Sequence, residues 1–183
     1  MKKALLPMTL AAALMVASGA AVAADWGLGV EAGSAKISDG DFEPSASFVR
    51  IFGSLPLTNK VGLEIGFATT GKADEKYEDG KIEASYSGLD AAAVFRPISA
   101  APGFFLRGGL TLYTLKIDSQ YDDGFGTETS SSSESGIGYS AGLGYEHEVG
   151  PGALRVVFSV NPGIGGNSEV GSIVFGAGYS VKF

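Results

Sequence analysis

Hydrophobic residues in this chain recur at every second position, segment after segment. The clearest case is 173–183. There Ile173, Phe175, Ala177, Tyr179, Val181 and Phe183 fall on one face, and Gly176, Gly178, Ser180 and Lys182 on the other. Successive side chains of a strand point to opposite faces, so such a segment has one apolar wall and one small, polar wall. Seven further segments read the same way. Segment 26–36 sets Trp26, Leu28, Val30 and Ala32 against Gly27, Gly29, Glu31 and Gly33. Segment 47–55 sets Val49, Ile51 and Leu55 against Arg50, with Phe48 and Phe52 sharing the arginine's face. Segment 61–68 sets Val61, Leu63, Ile65 and Phe67 against Gly62, Glu64 and Gly66. Segments 104–116, 137–147 and 153–161 alternate likewise, with Arg107, Glu146 and Arg155 on their minority faces. In 82–95, Ile82, Ala84 and Tyr86 fall out of phase with Leu89, Ala91, Ala93 and Phe95, which predicts a β-bulge near Gly88.

Short connections (56–60, 96–103, 149–152) alternate with longer, more polar ones (37–46, 69–81, 118–136, 162–169), and the run Ser130 to Ser133 is of low complexity and expected to be mobile. Eight alternating strands with short turns at one end and long loops at the other predict an all-β fold: an eight-stranded antiparallel up-and-down transmembrane β-barrel. A soluble barrel would share the alternation, but its minority face would be rich in Lys, Glu, Thr and Gln. Here that face is glycine with single charges of both signs, which suits the cramped interior of a small barrel. Glu31, Arg50, Glu64, Arg107, Glu146, Arg155 and Lys182 are therefore expected to form an interior ion-pair network, because buried charges need partners.

The chain start changes the picture further. Lys2-Lys3, an apolar stretch from Ala4 and the small residues Ala21-Val22-Ala23-Ala24 read as a secretory signal peptide, residues 1–23, cleaved after Ala23 or Ala24. The remainder, 24–183, is a one-domain length and is assigned to the barrel. No later apolar run is long enough for a membrane helix. The formal charge is −7, and both Lys2 and Lys3 lie in the leader, so the mature chain is more acidic still. An acidic balance without a basic stripe argues against nucleic acid as a partner. With no cysteine, disulfide and thiolate chemistry are absent.

The stretch Lys60-Val61-Gly62-Leu63-Glu64-Ile65-Gly66-Phe67-Ala68-Thr69-Thr70-Gly71 resembles the third strand of the outer membrane protein A-like transmembrane barrels. The likeness continues through Arg96-Pro97-Ile98, Leu106-Arg107-Gly108-Gly109 and Ala153-Leu154-Arg155. The resemblance implies a monomeric barrel in the outer membrane of a Gram-negative bacterium, with Glu64, Arg107 and Arg155 in an interior ion-pair network and no wide channel. It also implies a barrel-only member, without the peptidoglycan-binding domain. Two positions depart from the family pattern: its inward Lys on strand four falls at Ala92 or Val94, and its inward Glu on strand six near Gly144. Tyr179, Val181 and Phe183 resemble the C-terminal signal that outer-membrane assembly machinery recognises.

Candidate chemistry is sparse. Some eight-stranded barrels modify lipid A, which would need a serine activated by a base. The only histidine, His147 in Glu146-His147-Glu148, shares the outward phase of Tyr145, and position 149 is valine. Neither an enzyme nor a zinc site is expected. Asp118, Asp122, Asp123, Glu128 and Glu134 match no calcium-loop spacing and read as a solvated acidic loop. Lys72, Lys76 and Lys81 are candidates for lipopolysaccharide phosphates. No metal or cofactor is expected. The expected function is structural: a rigid wall carrying extracellular loops that contact lipopolysaccharide or a host surface. A narrow pore or transporter is the alternative, and a lipid A-modifying enzyme a more distant one.

Overall fold

The structure is a computed structural model that describes residues 26–39, 43–77, 80–98, 101–122, 126–166 and 169–183. The expected signal peptide, residues 1–23, and both candidate cleavage positions lie outside these residues. Nine strands follow in order: β1 Gly27–Asp39, β2 Ser45–Pro56, β3 Val61–Thr70, β4 Ala73–Tyr77, β5 Gly80–Phe95, β6 Phe104–Asp122, β7 Thr127–Val149, β8 Gly152–Pro162 and β9 Val170–Lys182. One 3₁₀ turn, Ile164–Gly166, sits between β8 and β9. Sequence neighbours other than β3 and β4 pair antiparallel, β1 also pairs with β9, and β3 with β5. Every stave thus has two neighbours and the sheet closes, which leaves no open edge within the wall. β4 is not a ninth stave. β3 pairs with Ser87–Phe95 of β5, and β4 with Gly80–Ala84 of the same strand, so β4 continues β3 beyond a break at Gly71-Lys72. The barrel is eight-stranded.

In the lower part of the barrel the faces alternate cleanly. Leu28, Val30, Ile51, Phe67, Leu110, Tyr139, Phe158 and Phe175 are exposed on the outer wall, while Glu31, Arg50, Glu64, Arg107 and Arg155 are buried inside. Phe48 and Phe52 are buried beside Arg50, so their shared phase with the arginine is real. An apolar exterior round a polar, filled interior is how a barrel sits in hydrocarbon. At the turn end, Trp26 stacks on Phe183 with ring centroids 4.6 Å apart, joining the two chain ends of the barrel.

The expected bulge near Gly88 is absent. β5 pairs with β6 in unbroken register from Gly80↔Tyr121 to Phe95↔Leu106. Ile82, Ala84 and Tyr86 therefore share the inward face with Asp90, Ala92 and Val94, and Ala84 and Tyr86 are buried. The apparent phase break in the sequence is a change of surroundings. Below Gly88 the outward face is apolar; above it the same face carries Lys81, Glu83, Ser85 and Ser87.

The long loops are likewise shorter than the sequence suggested. β6 and β7 stay paired as far as Asp122↔Thr127, and the serines 130–133 pair with Ser119 to Lys116. Serine and threonine accept extended backbone readily when both faces are wet, and nothing in the run forces a break. β4, β5, β6 and β7 together rise above the rest of the barrel as a polar-faced ledge. Gly138 packs under it within 2.5 Å, measured from its would-be Cβ, of the Gly163 carbonyl, so a side chain there would collide with backbone.

Candidate functional site

The lumen is where the chain concentrates its charge. Arg50 on β2, Arg107 on β6 and Arg155 on β8 meet Glu31 on β1, Glu64 on β3 and Asp90 on β5, all six buried. Each lies on the inward phase of its strand, so six staves contribute one charge each. Arg50 grips Asp90 with two parallel bonds, Nε to Oδ2 at 3.0 Å and Nη2 to Oδ1 at 2.7 Å. This fork is the strong geometry for a guanidinium and a carboxylate. Its Nη1 reaches Glu64 at 3.1 Å and Glu31 at 3.4 Å. Arg107 donates to Asp90 and lies 3.7 Å from Glu64. Arg155 Nη1 donates to Glu64 Oε1 at 2.8 Å. Arg155 Nε and Glu31 Oε1 are 3.0 Å apart, yet neither has a hydrogen bond of good alignment, so that contact is Coulombic. Three guanidinium and three carboxylate charges cancel.

Aromatic rings complete the layer. The guanidinium carbons of Arg50 and Arg155 each lie 4.6 Å from the Phe52 ring centroid, and Arg155 lies 4.7 Å from that of Phe105. Rings stacked on guanidinium faces use the weak hydration of arginine and fill space water would occupy. Phe105 also packs with Val94 and Val157 in an apolar cluster.

Asp90 is the residue sequence reasoning missed, and it takes two of the network's closest contacts. The signal was there: a lone acid at the alternating position of Leu89-Asp90-Ala91-Ala92-Ala93. Two expected members stand elsewhere. Lys182 is a rim residue, 3.0 Å from Glu148, and both side chains are exposed. Its strand has already reached the turn end, where water solvates a lysine. Glu146 is at the edge, 2.7 Å from Arg96 and 3.6 Å from Arg155. Ala92 and Val94 are buried in the wall beside the network and carry no charge into it.

Towards the ledge the lumen changes character. Tyr86 and Tyr113 stack with centroids 4.9 Å apart. The Tyr86 hydroxyl lies 3.3 Å from Ser172, which accepts a bond from Asn161 at 3.0 Å. Above the tyrosines an apolar cluster that includes Ile37, Phe48, Leu115, Ile164, Val170 and Val174 fills the interior. The lumen is therefore closed twice, by ion pairs and by packed hydrocarbon.

On the ledge's outer face Glu83 accepts bonds from both Lys72 and Lys81. Those bonds pull the carboxyl below its ordinary range and raise both lysines. Asp118 accepts a bond from Ser131 at 2.7 Å and lies 3.3 Å from Lys116 and 3.4 Å from Lys72; the Ser131 bond is the main cause that lowers it. Two of the candidate phosphate-binding lysines thus have carboxylate partners. Among the described residues no three His, Cys, Asp or Glu gather as for a metal, and Asp123 lies outside them. His147 is exposed on the outer phase of β7. Tyr179 donates to the Val149 carbonyl at 3.0 Å, and Val181 and Phe183 follow it towards the rim.

Ail, the attachment invasion locus protein of Yersinia pestis, superposes with a TM-score of 0.61 at 17% identity, over 88% of this chain and 100% of that one. Its complex with the heparin analogue sucrose octasulfate gives 0.58 at 18%, over 88% and 100%. Neisserial surface protein A gives 0.55 at 18%, over 86% and 97%. At such identities the likeness is one of fold. No curated protein matches the chain. The sequence pattern of the outer membrane protein beta-barrel domain, by contrast, matches residues 8–183. The chain belongs to the outer membrane protein beta-barrel domain family.

Proposed function

We propose that this protein is a structural anchor of the Gram-negative outer membrane, whose ledge contacts lipopolysaccharide or a host surface. One observation carries the reading: the lumen is closed by two layers while β4 to β7 continue beyond the apolar belt as a polar sheet. A wall built to hold something outside the membrane needs no path through it. Lys72, Lys76, Lys81 and Lys116 share the outward phase of the ledge, where lipid headgroups end. The likeness to Ail, a protein named for attachment and invasion, supports the same reading. Export by the leader, and recognition of Tyr179, Val181 and Phe183 by the assembly machinery, belong to this proposal.

The test is a shortened hairpin in which Lys116 is joined to Ser133 through a two-residue turn, expressed in whole cells. Its band should still shift on boiling in SDS gels, which reports a folded barrel, while binding of the cells to host-cell layers and to lipopolysaccharide vesicles should fall to the level of cells without the protein. Undiminished binding would overturn the proposal. Stable single channels in planar bilayers would favour a pore instead.

A further inference from the structure

At the ledge end the apolar interior opens into a cavity of 330 Å³, lined by Ile37, Ile82, Ala84, Leu115, Ile117 and Val170, with Tyr77 and Asp39 at its lip. Apolar walls open to water are costly, and a concave apolar surface with a few polar groups is the usual form of a ligand site. The volume is at the small end of such sites, which run about 300–1,000 Å³. A compact body fits; a long acyl chain does not.

The polar groups at this cavity have one sign. Asp39 lies at the lip and is exposed. Glu75 stands on the inward face of β4 between Ala73 and Tyr77, directly opposite Ile82 of the cavity wall. Opposed residues on a sheet have Cβ atoms about 5 Å apart, so the Glu75 side chain starts beside the lining. Its Oε2 is fully buried and has no hydrogen-bond partner. A buried carboxylate oxygen left unpaired costs free energy that a donor or a cation would recover. Among the described residues no basic side chain lines the cavity. The basic residues of the ledge, Lys72, Lys76, Lys81 and Lys116, share the outward phase, and Lys72, Lys81 and Lys116 pair with Glu83 or Asp118 on the far side of the sheet.

From this geometry we propose that the ledge-end cavity binds a small organic cation, with its apolar body against Ile82, Leu115 and Ile117 and its ammonium group at Glu75 and Asp39. The site uses the inward face of the ledge, whereas the surface role proposed above uses the outward face, so the two can fail separately.

The experiment is methyl NMR of the isoleucines, on the full mature chain in lipid nanodiscs, titrated with hexyltrimethylammonium, hexane-1-sulfonate and 1-hexanol. The ammonium should shift the Ile82 and Ile117 methyls saturably, with the sulfonate about tenfold weaker or worse, the size expected for one charge-assisted contact. Glu75→Gln with Asp39→Asn should reduce ammonium binding to the level of hexanol. Ile82→Trp, which fills the cavity, should abolish saturable binding of all three. Should Glu75→Gln disturb folding, Asp39→Asn alone, at the exposed lip, should still weaken the ammonium and leave hexanol unchanged. Equal affinity for ammonium and sulfonate would overturn the proposal. So would shifts confined to the belt residues Ile51, Ile137 and Ile173 that grow without saturation, since these would report partition into lipid.

Discussion

On β6, Leu106, Leu110 and Leu112 point outward and Arg107 and Thr111 inward. A few residues further along the same strand, Thr114, Lys116 and Asp118 point outward, and Tyr113, Leu115 and Ile117 inward. The backbone register between the two stretches never slips. Belt and ledge are one continuous sheet written with opposite polarity. The belt is turned inside out because its outer solvent is hydrocarbon; the ledge follows the ordinary rule because its outer solvent is water. The difference teaches that an alternation gives the strand, and the surroundings decide which face is apolar.

The comparison can be broken hardest in the belt's interior. Arg50→Ala leaves Glu31, Glu64 and Asp90 facing only two arginines, and removing one member of a buried ion network costs about 3–5 kcal/mol. Urea titration of folding into vesicles should show that loss. Next comes the outer face. Leu110→Arg should cost about 2–4 kcal/mol in the same titration, whereas Lys116→Leu, on the same face of the same strand but in the ledge, should stay within about 0.5 kcal/mol. Equal costs would put both residues in one solvent and dissolve the distinction. Packing gives a smaller contrast. A Cβ on Gly178 would lie 2.2 Å from the Val30 carbonyl oxygen, and one on Gly126 at the ledge tip would meet nothing within 4 Å. Gly178→Ala should cost about 1–3 kcal/mol and Gly126→Ala almost nothing.

The smallest effect is in pH. Glu83 and Asp118 are held below their ordinary values of 4.5 and 3.8 by hydrogen bonds from the lysines and from Ser131. A lowered carboxylate stabilises the fold above its ordinary value, and loses that contribution as pH falls through the lowered one. Lys72 and Lys81 are raised above 10.5, so their share is complete below that pH and lost as pH rises past it. Between about pH 5 and 10 the ledge's outer pairs should therefore be constant. Amide hydrogen exchange of β4 and β5 should quicken below pH 4, with the belt unchanged.

The barrel was legible because eight segments keep a period of two and the outward phase of most is unambiguous. Phe48 and Phe52 show why a mixed phase can still be read: the arginine between them had only one place to go. The departures have separate causes. Ile82, Ala84 and Tyr86 call for a bulge only if an apolar face meets lipid throughout the strand, and above Gly88 it does not. The serine run reads as loop because serines carry no preference for either face. Asp90 escapes for another reason: the inward phase of its strand is unassigned as long as a bulge is expected beside it. Phase alone puts Lys182 inside, although the last residues of a strand stand at the rim, where phase no longer implies burial. The cavity had no sequence signature at all. It depends on Ile37, Leu115 and Val170, which are brought together from three strands only by closure.

The uninterrupted β5–β6 and β6–β7 registers carry an evolutionary consequence. A single inserted residue in these strands would exchange the two faces beyond it, whereas a pair inserted in each partner strand would lengthen the ledge and keep every residue on its side. Descendants of this gene should therefore vary in ledge height by even steps. The position of the boundary, by contrast, can drift through point substitutions alone, and a lineage whose membrane thickened could follow it by trading lysines and serines for leucines one rung at a time.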